Sequence, residues 1–128
     1  MIRLLLCFAF VCSFQSFGLS EDALHLVNEQ RAIRGLGPLV HDEVLNLGAE
    51  HKAVKAAEAS YKGHLGGSKY GANYEGVGYD RRRLFRACYL YTAKAGSRVG
   101  AAIVKGRDGF NYCCLLVKSE SRLDPHPR

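Results

Sequence analysis

The chain has 128 residues, 48% of them hydrophobic, with 18 Lys and Arg against 12 Asp and Glu and a formal net charge of +6. That length leaves room for one small domain and no more, and five cysteines, two of them at Cys7 and Cys12, exclude a disulfide-dense scaffold. The basic excess favours anionic partners, but Lys and Arg are scattered apart from Arg81-Arg82-Arg83, and without a nucleic-acid motif no nucleic-acid partner is expected.

Met1-Ile2-Arg3 opens with a positive charge, and Leu4 to Phe17 is uncharged and mostly apolar, with small residues at Ser16, Gly18 and Ser20. This layout predicts a signal peptide over 1–18, cleaved near Gly18 or Ser20. Glu21 and Asp22 close the run short of the roughly 20 apolar residues a spanning helix needs. The expected product is secreted, extracellular or periplasmic, with no membrane span after cleavage. Cys88, Cys113 and Cys114 then remain, and an odd count leaves at least one thiol free or paired between chains.

Ser20 is a suitable N-cap, Glu21 and Asp22 suit a helix N-terminus, and Arg34-Gly35 a C-terminus. A first helix is therefore predicted over Glu21 to Arg34. Leu36-Gly37-Pro38-Leu39-Val40 follows as an extended apolar connector. Asp42 caps a second predicted helix over Glu43 to Ser60, with Leu45, Ala49, Ala53 and Ala56 along one side. The glycine density from Tyr61 to Tyr79 argues against a regular element there. Asp80 is placed to cap a short third helix carrying Leu84, Phe85, Cys88 and Tyr91. Two nearly continuous apolar runs, Arg98 to Lys105 and Phe110 to Lys118, flank Gly106-Arg107-Asp108-Gly109 and predict a hairpin covered on both faces. Residues 119–128 form a polar tail expected to be disordered. Adjacent residues of a strand face opposite ways, so Cys88 can reach only one of Cys113 and Cys114. The expectation is either that single disulfide or three buried free thiols. Helices followed by a doubly covered hairpin give an α+β class, arranged as an α-β-α sandwich.

The stretch VNEQRAIRGLGPLVHDEVLNLGAEH, with Asn28, Arg31, Gly35, Leu36, Pro38, Leu39, Asp42, Leu45, Ala49 and His51, resembles the opening of the CAP superfamily. This superfamily groups cysteine-rich secretory, antigen 5 and pathogenesis-related 1 proteins around an SCP domain. GSRVGAAIVKGRDGFNYCCLLV is similar to the family's closing hairpin, so the resemblance assigns 20–118 to one CAP-like domain. The structural motif has its own logic: Asn28 and Arg31 can tie the connector's backbone, Gly35 stops the helix, Pro38 fixes the connector, and Leu36 and Leu39 plug the core.

The resemblance implies that His64 and Glu75 line a central cleft as half of a His/Glu tetrad. The other half is missing, because Asp80 is the only acidic residue and no histidine occurs between Gly76 and Ser97. Two ligands fall short of a hydrolytic zinc site, which takes three plus water, so no cofactor is expected beyond loose divalent metal, such as zinc, on His64 and Glu75. Tyr70, Tyr74 and Tyr79 add amphipathic surface to the same stretch. The reading is a non-enzymatic secreted domain. Its cleft of His64, Glu75, Tyr70, Tyr74 and Tyr79 takes a small amphipathic ligand or an extracellular or cell-wall partner. A degenerate metal-dependent hydrolase and a basic surface-interaction protein are the alternatives.

Overall fold

In the computed structural model, which describes residues 19–119 with side chains from Ala23 onward, helix α1 runs over Leu19–Ile33. The expected leader, the capping side chain of Ser20 and the tail past Ser119 lie outside the described residues. The helix stops because Gly35 takes φ +77°, a left-handed conformation that a glycine adopts without penalty. The connector that follows is held from α1. Asn28 donates to the Leu39 carbonyl at 3.1 Å and accepts from the Leu39 N–H at 2.9 Å. Arg31 is buried and donates to the Gly37 carbonyl at 2.8 Å and the Leu90 carbonyl at 2.9 Å. Both residues thus act on backbone, as expected of the motif, and Arg31 reaches a further segment 59 residues away.

Strand β1 (Val40–His41) leads into helix α2 (Glu43–Ala59). Asp42 caps α2 by accepting from the Leu45 N–H at 3.0 Å, and this bond is the first cause of its lowered pKa. Ser60 ends the helix in a left-handed conformation, φ 51°. Strand β2 covers Tyr74–Asp80, β3 covers Arg98–Lys105 and β4 covers Asn111–Lys118. The four form one mixed sheet in the order β1-β3-β4-β2, with β1 parallel to β3 and the other pairs antiparallel. The class is α+β.

Alternation along β3 and β4 divides the apolar side chains into two groups. Val99, Ala101, Ile103, Cys113, Leu115 and Val117 pack with Ala23 and Val27 of α1, and with Leu39, Phe85 and Leu90. Ala102, Cys114 and Leu116 pack with Leu45, Ala49 and Ala53 of α2. Gly100 sits where a Cβ would run into the Leu45 carbonyl, so its missing side chain lets the start of α2 lie directly on β3.

Three expectations are corrected. The stretch before Asp80 is a seven-residue strand, because every second residue from Tyr74 is placed on one face and the glycines at 76 and 78 are close-approach positions. No helix follows Asp80. Residues 81–97 are an irregular segment whose Arg86 and Cys88 carbonyls lie where Cβ atoms of Gly78 and Gly76 would stand. Asp80 bonds the Arg82 N–H at 2.7 Å as a local turn instead of a helix cap. Leu36 is only half-buried, leaving Leu39 as the connector's core residue. The cysteines depart from expectation as well: all three described ones are free, but Cys88 is exposed, so neither the Cys88 disulfide nor three buried thiols is found, and Cys113 and Cys114 are buried on opposite faces of β4.

Leu45 is fully buried whereas Leu47, on the same helix, is 59% exposed. Leu45→Ala should cost about 2–5 kcal/mol and Leu47→Ala less than about 0.5 kcal/mol. Urea denaturation of the two variants measures the contrast, and equal costs would mean that α2 is turned differently on the sheet.

Candidate functional site

His64 and Glu75 meet. The imidazole Nδ1 lies 3.5 Å from Glu75 Oε2 although eleven residues separate the two along the chain. Glu75 is carried by β2 on the side that faces α2, the side of Val77 and Cys114. There it meets Lys52 of α2, whose ammonium is 3.3 Å from Oε1. The Lys52 and Glu75 side chains are only 6% and 7% exposed, while His64 is half in water at 52%. Lys52 also donates to the Gly66 carbonyl at 2.8 Å, which ties the glycine loop to α2. Glu75 Oε2 is buried without a hydrogen-bond partner among the described residues, and the His64 imidazole is the group set against that oxygen.

Lys52 was not singled out by sequence, yet it was findable. It falls three residues after Ala49 and next to Ala53, inside the apolar stripe that starts at Leu45, where a lysine needs a buried carboxylate.

A tightly held zinc ion does not fit these residues. One imidazole and one carboxylate are two donors, and the Lys52 ammonium already holds the second carboxylate oxygen. No group of three or more His, Cys, Asp or Glu side chains able to hold a metal occurs among the described residues. His51 lies exposed on α2 and packs edge-on to Tyr70 at 6.4 Å. Cys113 and Cys114 are equally unsuited as nucleophiles. Burial, then the Glu75 charge, push Cys114 up to about 12, and burial pushes Cys113 up to about 11.

The three tyrosines expected beside this pair go to three different places. Tyr70, at φ 58°, packs over Gly48 of α2, where a Cβ would strike its ring. Tyr74 stacks on Tyr89 at 5.0 Å, on the side of β2 facing the 81–97 segment. Tyr79 packs edge-on to Phe110 at 5.5 Å, at the far end of β2. Between Tyr79 and the β3–β4 turn sits a second cluster. The Lys62 ammonium is 4.6 Å from the centre of the Phe110 ring and 5.4 and 5.3 Å from Tyr79 and Tyr112. It donates to Tyr112 Oη at 3.0 Å and pairs with Asp108 at 3.1 Å, and the Tyr112 hydroxyl donates to the same carboxylate. The tyrosine bond, followed by the Phe110 N–H and Lys62, holds Asp108 down at about 2.

A broad concavity lies elsewhere. A groove of about 830 Å³ runs between β2 and the 81–91 segment, floored by Val77, Gly78, Leu84 and Phe85. Three arginines line it. Arg34 lies over the Tyr91 ring at 3.7 Å, Arg81 over the Phe110 ring at 4.2 Å, and Arg86 is 3.5 Å from Asp80. Asp80 is the one carboxylate in the lining, held at about 2 chiefly by its bonds from Arg82. No family model matches the chain, and no curated protein matches it.

Two outcomes follow from this geometry. Lys52→Met leaves the buried Glu75 carboxylate with the half-exposed His64 alone, and Glu75→Leu leaves the Lys52 ammonium without a carboxylate; each should cost about 3–5 kcal/mol, whereas the double variant should regain wild-type stability or exceed it. Thermal unfolding of the four proteins gives the comparison. Asp108 has a folded pKa of about 2 against an ordinary 3.8, so between those values the unfolded chain binds the extra proton. Stability from this carboxylate is present above pH 4 and is lost as pH falls toward 2. Asp108→Asn should flatten the acid limb of the stability profile by up to about one proton, and an unchanged slope would separate Asp108 from acid unfolding.

Proposed function

We propose that the chain is a secreted, non-enzymatic CAP-like binding domain whose working surface is the arginine-lined groove beside β2. The family assignment rests on the motif from Asn28 to Asp42 and on the closing hairpin. An α-β-α sandwich is the arrangement that suits the two apolar groups on alternate residues of β3 and β4. The observation that carries the binding reading is the lining itself. Arg34 and Arg81 rest on aromatic rings and have no carboxylate partner among the described residues, and Arg86 shares Asp80 with Arg82. Guanidinium groups held over rings, beside apolar lining residues, present their donors to an anionic group. Such a surface takes an extracellular partner that carries carboxylate or other anionic groups beside apolar ones.

The His64, Glu75 and Lys52 cluster serves the fold in this reading, by neutralising a carboxylate that β2 carries inward. The tyrosines expected in a small-ligand cleft around it are dispersed, and a hydrolase would find no group of three metal-ligating side chains among the described residues.

Polyacrylate, a carboxylate polymer with no peptide backbone, tests the groove's charge. Binding to the full chain should fall steeply as salt brings the Debye length below about 10 Å. An Arg34→Gln, Arg81→Gln double variant should bind at least tenfold less tightly, about 1.4 kcal/mol. Binding that ignores both salt and the double variant would remove the groove from the account.

A further inference from the structure

β2 is the outermost strand of the sheet and is paired on one side only, with β4. In an antiparallel pair, alternate residues turn both N–H and C=O away from the partner strand. Among the described residues, none of the backbone bonds formed outside helices and strands uses a β2 group. Proteins ordinarily blunt such an edge with Lys, Pro or a bulge. YEGVGYD has neither Lys nor Pro, and its register against β4 runs unbroken from Tyr74 to Asp80. Seven residues at about 3.3 Å each make an open edge of about 23 Å.

The groove follows residues 77–80 of this edge. Its lining includes Val77 and Tyr79, on the α2 side of the strand, and also Gly78 and Asp80, on the other side. A cavity lined by consecutive residues of both faces lies along the strand's rim. Three arginines against one aspartate set the charge of that rim. Pairing with β2 of a second copy would bring the same arginines together, so charge opposes self-association and favours an acidic strand.

We infer that β2 is a docking strand for an extended acidic peptide segment of a partner protein. The segment adds to the sheet by backbone pairing along Tyr74–Asp80 and sets alternate carboxylates against Arg34, Arg81 and Arg86. Main-chain bonds supply affinity in this mode and alternate side chains supply selectivity. The inference rests on the groove being the binding surface and names its partner.

The probe is a blocked seven-residue peptide of alternating Glu and Val, added to the full chain. Two further versions carry N-methyl groups on one or the other alternate set of backbone nitrogens, and a fourth has Lys in place of Glu. Expected results are slowed exchange with the acidic peptide at the one alternate set of β2 amides that faces the free edge, either Val77 with Tyr79 or Gly76 with Gly78, and at least tenfold weaker binding for one N-methylated version. The Lys version should not bind. Equal binding of all three acidic versions would overturn strand addition while leaving the groove reading intact. Failure of the acidic peptide where polyacrylate still binds would do the same, as would protection of these amides by dimerisation without peptide. Failure of the peptide and polyacrylate together would remove the groove reading as well.

Discussion

Everything in this molecule depends on a hairpin that hides both of its faces from water. β4 has seven buried residues in succession, Asn111 to Val117, and β3 has five, Val99 to Ile103. A strand pair of that kind cannot stand at a surface, so one helix must cover the even-numbered side chains and another element the odd-numbered ones. α2 manages the first by its alanine stripe, approaching closely enough that β3 needs a glycine beneath Leu45. α1 with the 81–97 segment manages the second, and here too glycines of β2 let carbonyls lie directly on the strand. At these glycine and alanine contacts the layers meet at short range, where added volume is poorly tolerated.

Much of this was legible, because local chemistry and tertiary role coincide. Asp42 reads as a cap and is one, Gly35 reads as a stop and takes a positive φ, and the hairpin announces itself by two apolar runs around a glycine turn. The stretches that misled are those where tertiary contact overrides local preference. Gly76 and Gly78 look like breakers, but they are small so that the Cys88 and Arg86 carbonyls can pass. Leu84, Phe85 and Cys88 keep a helical spacing, yet the segment is drawn out along β2 and held by Gln30, which accepts from the Phe85 N–H at 2.8 Å and donates to its carbonyl at 3.0 Å.

The site was legible in half. The convergence of His64 and Glu75 follows from a loop able to fold back. The lysine that completes the cluster lay in a helix read for its alanines, and a buried ammonium leaves little trace in sequence beyond its place on an apolar stripe. The tyrosines dispersed because strand alternation sends Tyr74 and Tyr79 to opposite sides. The groove had only one visible sign, the run Arg81-Arg82-Arg83, and its remaining arginines come from the end of α1 and from the irregular segment.

Cys113 and Cys114 are neighbours in the chain but belong to different cores, one under α1 and one under α2. Two adjacent sulfur atoms therefore look out on opposite halves of the molecule. A reagent that reaches one sulfur before the other, as the protein loosens, reports which helix has lifted first. The order of unfolding of the two layers is written into the modification pattern of a single dipeptide.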